Sequence, residues 1–348
     1  LVGSEMCIRD RDTLISIIKK KKTVCFGAGL QGRRVAEFFE NWGLENQLLA
    51  FVDNSNSKIG GKIQCEKYDY PILSLTQAKE SLTTDILVLI TCLNYEEVYN
   101  QLEKEEIKGW TYIAFDKVAE AELLKSNYVK IIKETNIPII PKIIHYVWFG
   151  EEMPESMKLN IKKWKELCPE YTFYEWNESN YDISNNKYIK EAYENEVWGF
   201  VSDYIRLDVV YRYGGIYLDT DVEMIRKPDE LLYQQCFGCV DCSMTMNLGS
   251  GFGAVPGTEI IRELRDYYND ICFIKEDGTI NNTSCSTYSF QVLKKYGLKI
   301  NNQLQKVREM NIYPMIFQGA CQYTKTKKVA ENTFFVHYGN LSWFNKGK

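Results

Sequence analysis

The sequence predicts an α/β protein made of two domains. Its 348 residues exceed what a single hydrophobic core commonly serves. In the first half, short apolar runs alternate with amphipathic helical patterns, and a glycine-rich turn follows the first run. In the second half, a long helical pattern passes through two adjacent glycines into another apolar run. We place the first domain at residues 12–122 and the second at residues 139–348.

Composition and charge narrow the class of function. Hydrophobic residues make up 45% of the chain and charged residues 26%, which is typical of a soluble globular protein. The formal net charge of -5 argues against a nucleic-acid partner held by a basic field. No apolar run approaches the roughly 20 residues that span a bilayer. We expect a cytoplasmic location, and peripheral association with the inner face of the cell membrane stays open.

The first residues differ in character from the rest. The run "SEMCIRDR" lacks the pattern of a secretory signal and resembles the translation of a sequencing adapter joined to the reading frame. We therefore leave residues 1–11 out of the fold prediction. A genuine tail would lead to the same functional conclusion.

Eleven cysteines are many for this length. Without a signal sequence, we expect most of them to be reduced and buried. Cys236, Cys239 and Cys242 have a spacing that could hold zinc or an iron–sulfur cluster, with Cys285 as a conceivable fourth ligand. The same residues equally suit a strand. Whether they bind anything stays open.

The first domain opens with a phosphate-binding pattern. A β-prone run at residues 23–26 precedes Gly27, Gly29 and Gly32, and a helical pattern leads to a second strand that ends at Asp53. Strand, G-x-G-x-x-G, helix, strand and acid make the dinucleotide-binding arrangement. This half resembles the small Rossmann-like domains attached to many bacterial surface-sugar enzymes. Glycines that only ease helix–strand packing are the alternative, and this half contains no histidine for dehydrogenase chemistry.

A connecting segment separates the two halves. Residues 123–138 read as a linker helix, and Pro138 and Pro141 stiffen its end. The second domain should therefore begin near Ile139.

A long helix is predicted over "NEVWGFVSDYIRLDVVYRY". At 100° per residue, Gly199, Asp203, Arg206 and Val210 share one face. A small residue, an acid, a base and a hydrophobic residue together suit a face that lines a cleft. An i,i+3 ion pair between Asp203 and Arg206 is the simpler alternative.

The run "YGGIYLDTD" follows this helix. Two glycines suit a helix C-cap, and a short apolar strand then delivers Asp219 and Asp221 at its carboxyl end. Side chains at i and i+2 of a strand leave the same face, so the two carboxylates would point at one place. Like charges held close repel unless a cation lies between them. The run therefore predicts a cation site.

Three motifs of the second half carry a family resemblance. "IPKIIHYVWFG", "SDYIRLDVVYRYGGIYLDTDV" and "VHYGNLSW" resemble, in order, the motifs of family 32 glycosyltransferases, which carry a DXD sequence. The resemblance implies a GT-A type nucleotide-sugar-binding fold, Mn²⁺ or Mg²⁺, a UDP- or GDP-sugar donor and retention of anomeric configuration. By family habit, the acceptor would be a glycan or lipid-linked glycan in capsular or surface polysaccharide synthesis.

The resemblance also assigns roles to single residues. It implies that Asp221 binds the metal, and that Asp219 accepts hydrogen bonds from ribose and sugar hydroxyls or reaches the metal through water. Asp203 and Arg206 would grip the donor sugar and complete the catalytic set. Trp148 would stack on the nucleobase, with a tryptophan of the core as an equal alternative.

The last motif implies a closing tail. His337 would complete the metal shell, and Ser342 and Trp343 would bind the diphosphate. The sequence departs from the family pattern at Tyr338 and Gly339, where the family often has a second histidine and an aromatic residue. The other histidine of the chain, His145, is predicted to be a core residue whose ring nitrogens are hydrogen-bonded.

Mechanistic alternatives remain at this stage. The family favours a front-face displacement, in which the leaving phosphate takes the acceptor proton. A double displacement would need a carboxylate beneath the sugar, and Asp241 is the candidate. An NAD(P)-linked oxidoreductase acting through the glycine loop and a non-catalytic nucleotide-sugar-binding protein are the two other hypotheses.

Overall fold

A computed structural model shows two compact units, Leu1–Lys125 and Ser126–Lys348. The structure describes residues 11–41, 43–65, 67–82, 85–92, 95–105, 107, 109–115, 123–124, 129–241, 246–299, 302–321 and 326–337. Residues 1–10 of the predicted adapter segment lie outside these ranges.

The first unit is built on a six-stranded sheet with the order β3-β4-β2-β1-β5-β6. All neighbours pair in parallel except β3, which is antiparallel to β4. The strands are β1 (Lys22–Phe26), β2 (Leu48–Val52), β3 (Lys62–Gln64), β4 (Asp69–Leu73), β5 (Ile86–Ile90) and β6 (Trp110–Ala114). The helices are α1 (Arg11–Lys20), α2 (Leu30–Asn41), α3 (Leu75–Ser81) and α4 (Tyr95–Glu105).

The predicted linker helix is wrong over residues 129–138, which contain no helix. The backbone N–H groups of Glu134 and Thr135 instead donate to the carbonyl of Tyr233. Val129 and Ile131 pack against the hydrophobic core of the second unit. Apolar side chains interrupted by lysines suit an extended segment lying on that core, so the second unit begins before the predicted boundary at Ile139.

The second unit contains a mixed seven-stranded sheet with the order β13-β14-β11-β12-β9-β7-β8. β7, β8 and β9 run parallel, and β12 is antiparallel to both β9 and β11. These strands are β7 (Ile143–Val147), β8 (Thr172–Trp176), β9 (Gly215–Tyr217), β11 (Cys236–Cys239), β12 (Phe252–Ala254), β13 (Gln305–Val307) and β14 (Met310–Tyr313).

Two short antiparallel pairs accompany this sheet. One joins β10 (Val222–Met224) to β17 (Phe335–His337), and the other joins β15 (Ala320–Cys321) to β16 (Thr326–Lys327). The β10–β17 pair matters for the site because it brings the C-terminal histidine next to the residues that follow β9.

Five helices are described in the second unit: α5 (Glu155–Leu167), α6 (Lys187–Glu194), α7 (Trp198–Tyr213), α8 (Glu259–Asp266) and α9 (Cys285–Lys294). α7 is the predicted long helix, and it is buried along most of its length. It ends at Gly214, whose φ of +66° is a backbone conformation that favours glycine.

The predicted α/β fold class is confirmed, and the mixed sheet of the second unit is consistent with a GT-A type arrangement. Within the described parts of the chain, every helix is too short or too polar to cross a membrane.

Candidate functional site

The DXD residues lie in a turn and not on a strand. β9 ends at Tyr217, and the next strand begins only at Val222. The N–H of Asp219 donates to the carbonyl of Gly249, and the N–H of Val222 donates back to the carbonyl of Asp219. Asp219 and Asp221 therefore converge because of this turn, and the i,i+2 strand argument is wrong. Their position beyond the carboxyl end of β9 is as predicted.

Arg206 of α7 is the hub of a buried cluster of charges. Its Nη2 lies 3.0 Å from Oδ1 of Asp203 and 3.3 Å from Oδ1 of Asp219. The same guanidinium donates from Nε to the carbonyl of Ser202 and from Nη2 to its hydroxyl. Arg206 is 3% exposed and Asp203 is 6% exposed, so solvent screens this cluster weakly. The i,i+3 ion pair between Asp203 and Arg206 is therefore present, and Arg206 forms a second ion pair with Asp219 of the DXD turn.

Burial and charge shift the titration of these groups in different ways. Burial raises the pKa of Asp203 to about 7, even though Arg206 pulls it down. Burial opposes the charge of Arg206, but the neighbouring carboxylates raise its pKa well above the ordinary value. The hydroxyl of Tyr217 donates to Oδ1 of Asp219 at 2.8 Å, and the tyrosine ring lies 5.1 Å from the guanidinium carbon. Arg206 thus stays cationic between two acids.

His337 closes the other side of the DXD turn. Its Nε2 lies 3.2 Å from Oδ1 of Asp221 and 4.0 Å from Oδ2 of Asp219. Burial lowers the pKa of His337, but the charges of Asp221 and Asp219 outweigh it and the pKa is raised overall. The pairing of β10 with β17, in which Val222 faces His337, fixes this approach.

The other ring nitrogen of His337 is held by the loop before β12. Nδ1 lies 3.0 Å from Oγ of Ser250 and 3.5 Å from Nδ2 of Asn247. A serine hydroxyl can either donate or accept, so it supports both tautomers of the imidazole. Nε2 can therefore carry a proton toward Asp221 or offer a lone pair to a cation.

These three side chains suit a divalent cation. Asp219, Asp221 and His337 each offer a ligand atom, and these atoms all lie within 4.8 Å of one another. Two carboxylates and one imidazole make a donor set that Mn²⁺ accepts, and Mg²⁺ takes the carboxylates. Two acids turned toward each other also repel without a positive charge between them.

Two further residues complete the site, and the sequence did not single them out for it. A Cβ at Gly249 would lie 2.0 Å from Oδ2 of Asp219, so any side chain there would displace this carboxylate. Gly249 therefore packs against the DXD side of the site. Cys285 contacts Arg206 from α9 at 3.9 Å. No local pattern marks these contacts, because both join segments distant in sequence.

The aromatic motif before the DXD region reaches the same sheet edge. Trp148 follows β7, which lies beside β9 and runs parallel to it. Its indole N–H donates to the carbonyl of Glu151, and the ring is partly exposed. Stacking on a nucleobase therefore stays a prediction. His145 is a satisfied residue of the core, as predicted, with bonds to Gly214 and Trp176.

Several predicted residues fall elsewhere. Ser342 and Trp343 lie outside the described residues, as does Cys242. Cys236 and Cys239 are buried on β11, as the strand alternative predicts, and burial raises the pKa of both thiols. Among the described residues, the group at Asp219, Asp221 and His337 is the one cluster of possible metal ligands. Asp241 is buried just beyond β11.

The glycine loop of the first unit forms as predicted. Gly27 has a φ of +115°, and a Cβ at Gly32 would lie 2.0 Å from the carbonyl oxygen of Gly27, whereas Gly29 has open space around it. Oδ2 of Asp53 accepts the N–H of Ala28 at 2.8 Å and the ammonium of Lys58 at 3.0 Å. Asp53, which would accept a hydrogen bond from a ribose hydroxyl, is thus already bonded to the loop. This arrangement agrees with the alternative in which the glycines only ease packing between helix and strand.

Comparison with known proteins bears on the second unit. Residues 154–238 match the model of a family described as a glycosyltransferase sugar-binding region containing a DXD motif. The match supports a glycosyltransferase family. It spans α7, the DXD turn and most of β11, and therefore includes Asp203, Arg206, Asp219 and Asp221.

Curated relatives agree with this match over a limited stretch. Inositol phosphoceramide mannosyltransferase 2 of Schizosaccharomyces pombe is 35% identical over 102 residues, which is 28% of this chain and 29% of the relative. Mannosyl phosphorylinositol ceramide synthase SUR1 of Saccharomyces cerevisiae is 35% identical over 98 residues, 27% of this chain and 26% of the relative. The chain thus matches less than a third of the length of either.

A solved structure shows a more distant similarity. A glycosyltransferase involved in the glycosylation of the major capsid of PBCV-1 is 13% identical, with a TM-score of 0.31. The similarity covers 58% of this chain and 95% of that one. At this TM-score it carries no weight for function.

Proposed function

We propose that the second unit is a metal-dependent hexosyltransferase that moves a sugar from a nucleotide-sugar donor to an acceptor hydroxyl with retention of configuration. The observation that carries the proposal is the convergence of Asp219, Asp221 and His337 beside the buried Asp203–Arg206 pair. A cation-binding group next to a charged, hydrogen-bonding pair suits a ligand with a diphosphate at one end and a sugar at the other.

Each side chain then has a task that follows from its surroundings. Asp219, Asp221 and His337 would hold Mn²⁺ or Mg²⁺, which supplies positive charge to the departing diphosphate. Asp203 and Arg206 would orient the sugar hydroxyls, because both are held rigidly and shielded from water. Trp148 at the neighbouring strand end would contact the base, and Ser342 and Trp343 would bind the diphosphate.

Retention of configuration is part of the proposal. We infer a front-face displacement, in which the leaving phosphate takes the acceptor proton and positioning with charge stabilisation does most of the work. A double displacement through Asp241 is the alternative. It predicts a covalent sugar–enzyme intermediate that mass spectrometry can detect.

For the acceptor, we propose a glycan or lipid-linked glycan of capsular or surface polysaccharide synthesis. One relative is named as an inositol phosphoceramide mannosyltransferase and the other as a mannosyl phosphorylinositol ceramide synthase, so a lipid-bearing acceptor is compatible with the proposal. We propose a cytoplasmic location, with peripheral association at the inner face of the cell membrane if the acceptor is lipid-linked.

The test is a panel of UDP- and GDP-sugars screened for Mn²⁺-dependent hydrolysis, with Asp221→Ala as the control. We expect turnover of at least one donor by the native protein and a loss of at least about 100-fold in the variant. Equal turnover in both would show that the cation site is assigned wrongly.

The same assay separates the two other hypotheses. A nicotinamide oxidoreductase would change NAD(P)H absorbance or fluorescence without a requirement for manganese. A non-catalytic sugar-nucleotide binder would bind the donor and never turn it over. The intact Asp219–Asp221 pair argues against that second possibility, because a binding-only site gains nothing from two repelling acids.

A further inference from the structure

Cys285 reaches the Asp203–Arg206 pair from a separate element. It is the first residue of α9, which lies far downstream of α7 in the chain. Its Sγ lies 3.9 Å from Nη1 of Arg206. It also lies close enough to the carboxylate of Asp203 for each group to shift the pKa of the other. Cys285 as a whole residue is partly exposed, while its thiol is turned toward the buried residues Asp203 and Arg206.

The chemistry of a neutral thiol suits this place. Burial raises the pKa of Cys285, so the sulfur keeps its proton. The S–H can donate to Asp203 while the sulfur accepts the N–H of Arg206. The other nitrogens of Arg206 are already directed at Ser202, Asp203 and Asp219. Nη1 is thus the nitrogen of the guanidinium that α9 contacts, through Cys285.

We propose that Cys285 is a positioning residue that sets the orientation of Asp203 and Arg206 toward the donor sugar. Within α7 the two residues are held at i,i+3 by a single helix. From outside that helix, the thiol contacts Arg206 and couples electrostatically to Asp203. This inference rests on the proposed function. It assigns Cys285 to the sugar end of the donor and not to a metal cluster with Cys236 and Cys239.

The experiment compares Cys285→Ala and Cys285→Ser with a matched control, Cys272→Ala. Cys272 is exposed and its sulfur contacts Lys187 at 3.5 Å. For each protein, calorimetry gives the Kd of the active nucleotide-sugar and of the same nucleoside diphosphate without sugar, both with Mn²⁺. Thermal melting reports any loss of stability.

A sugar-specific effect is the expected result. Cys285→Ala should weaken binding of the nucleotide-sugar about 10- to 100-fold, because it removes the group that contacts Arg206 and is coupled to Asp203. Binding of the free nucleoside diphosphate should change by less than about twofold, since the pair does not contact it. Cys285→Ser should recover most of the affinity, and Cys272→Ala should match the native protein.

Other results would overturn the inference. Equal weakening of both ligands, or unchanged binding of the nucleotide-sugar, would exclude a role at the sugar end. A lower melting temperature with native affinity would mean that Cys285 only stabilises the fold. In both cases the proposed function would stand, because the native protein still binds the donor.

A second measurement does not depend on the proposed function. If the native protein binds no nucleotide-sugar, the proposed function fails, and maleimide labelling followed by mass spectrometry then tests the contact itself. We expect Cys285 to react at least about tenfold more slowly than Cys272, and to react faster in Asp203→Asn. Equal rates for the two cysteines, or no effect of Asp203→Asn, would overturn the assignment.

Discussion

The α-carbon of Gly249 packs so closely against the carboxylate of Asp219 that no methyl group fits between them. A Cβ at position 249 would lie 2.0 Å from Oδ2 of Asp219 and 3.2 Å from Nη1 of Arg206. The backbone adds to this contact, because the carbonyl of Gly249 accepts the N–H of Asp219 at 3.1 Å. One glycine therefore sets the position of an acid that faces both Arg206 and His337.

Gly249→Ala should disable the site more than the fold. We expect donor hydrolysis to fall at least about 100-fold, because Asp219 must leave its place beside Arg206. Overpacking of this kind costs about 1–3 kcal/mol of unfolding free energy. Chemical denaturation and the donor assay check the two effects. Leu159→Ala, at an exposed position of α5, is the control, and native activity in Gly249→Ala would contradict the packing argument.

Ser250 should tune the affinity for the cation without touching it. Ser250→Ala removes the hydroxyl 3.0 Å from Nδ1 of His337, and loss of such an orienting bond costs about 10- to 100-fold in metal affinity. Titration of Mn²⁺ followed by electron paramagnetic resonance gives the Kd directly. Ser179→Ala, which alters an exposed serine on another loop, should bind Mn²⁺ as the native protein does. An unchanged Kd in Ser250→Ala would mean that β17 and Asn247 orient His337 without this hydroxyl.

Metal binding should appear as thermal stabilisation. At 100 times its Kd, a ligand that binds only the folded state adds about 2.7 kcal/mol to the unfolding free energy. We expect Mn²⁺ to raise the melting temperature of the native protein and EDTA to reverse the rise. Asp221→Asn should abolish the shift, which is measured for each protein from its own melting temperature without metal, because the substitution also removes the ion pair between Asp221 and His337. A full shift in Asp221→Asn would place the cation elsewhere.

Periodicity and motifs predicted the parts of the site that lie close together in the chain. The helical spacing placed Asp203 and Arg206 on one face, and the glycines after α7 placed the DXD residues at a sheet edge. The reason for the convergence of Asp219 and Asp221 was wrong. A strand was expected, but a turn closed by the N–H of Val222 brings them together.

Contacts between distant segments could not be predicted in this way. Gly249 and Cys285 meet Arg206 only after β12 and α9 have packed, and neither carries a periodic signal. The linker helix failed for a related reason. Residues 129–138 are rich in β-branched side chains, and tertiary contacts of Val129 and Ile131 with the second unit favour an extended path.

Tyr188 offers a test of the packing around the Asp203–Arg206 pair. Its ring is fully buried against Tyr268, with ring centroids 5.0 Å apart, and its hydroxyl has no hydrogen-bond partner among the described residues. An unpaired buried hydroxyl costs free energy, so Tyr188→Phe should leave the unfolding free energy unchanged or raise it by up to about 1 kcal/mol. Denaturant titration measures this. A loss of more than about 1 kcal/mol would mean that the hydroxyl is bonded, to a buried water for example.

His145 predicts how stability depends on pH. Burial lowers its pKa to about 4, and the bond to Gly214 opposes this only in part. Nε2–H donates to the carbonyl of Gly214 at 2.8 Å, and Nδ1 accepts the indole N–H of Trp176 at 3.1 Å. A second ring proton would therefore face another donor. The folded-state pKa of His145 lies below the unfolded value of 6.5. The contribution of neutral His145 to the unfolding free energy is therefore complete above pH 6.5 and is lost as pH falls toward 4.

His145→Gln isolates this contribution. A glutamine amide can donate to Gly214 and accept from Trp176, but it does not titrate. The native protein should lose up to about 3 kcal/mol of unfolding free energy, relative to the variant, between pH 6.5 and pH 4. Urea titrations at half-unit steps of pH measure the difference, and His337 and the carboxylates contribute to both proteins alike. If the unfolding free energies of the two proteins changed with pH in parallel, protonated His145 would be tolerated in the core. The two curves diverge only if protonation of His145 destabilises the fold.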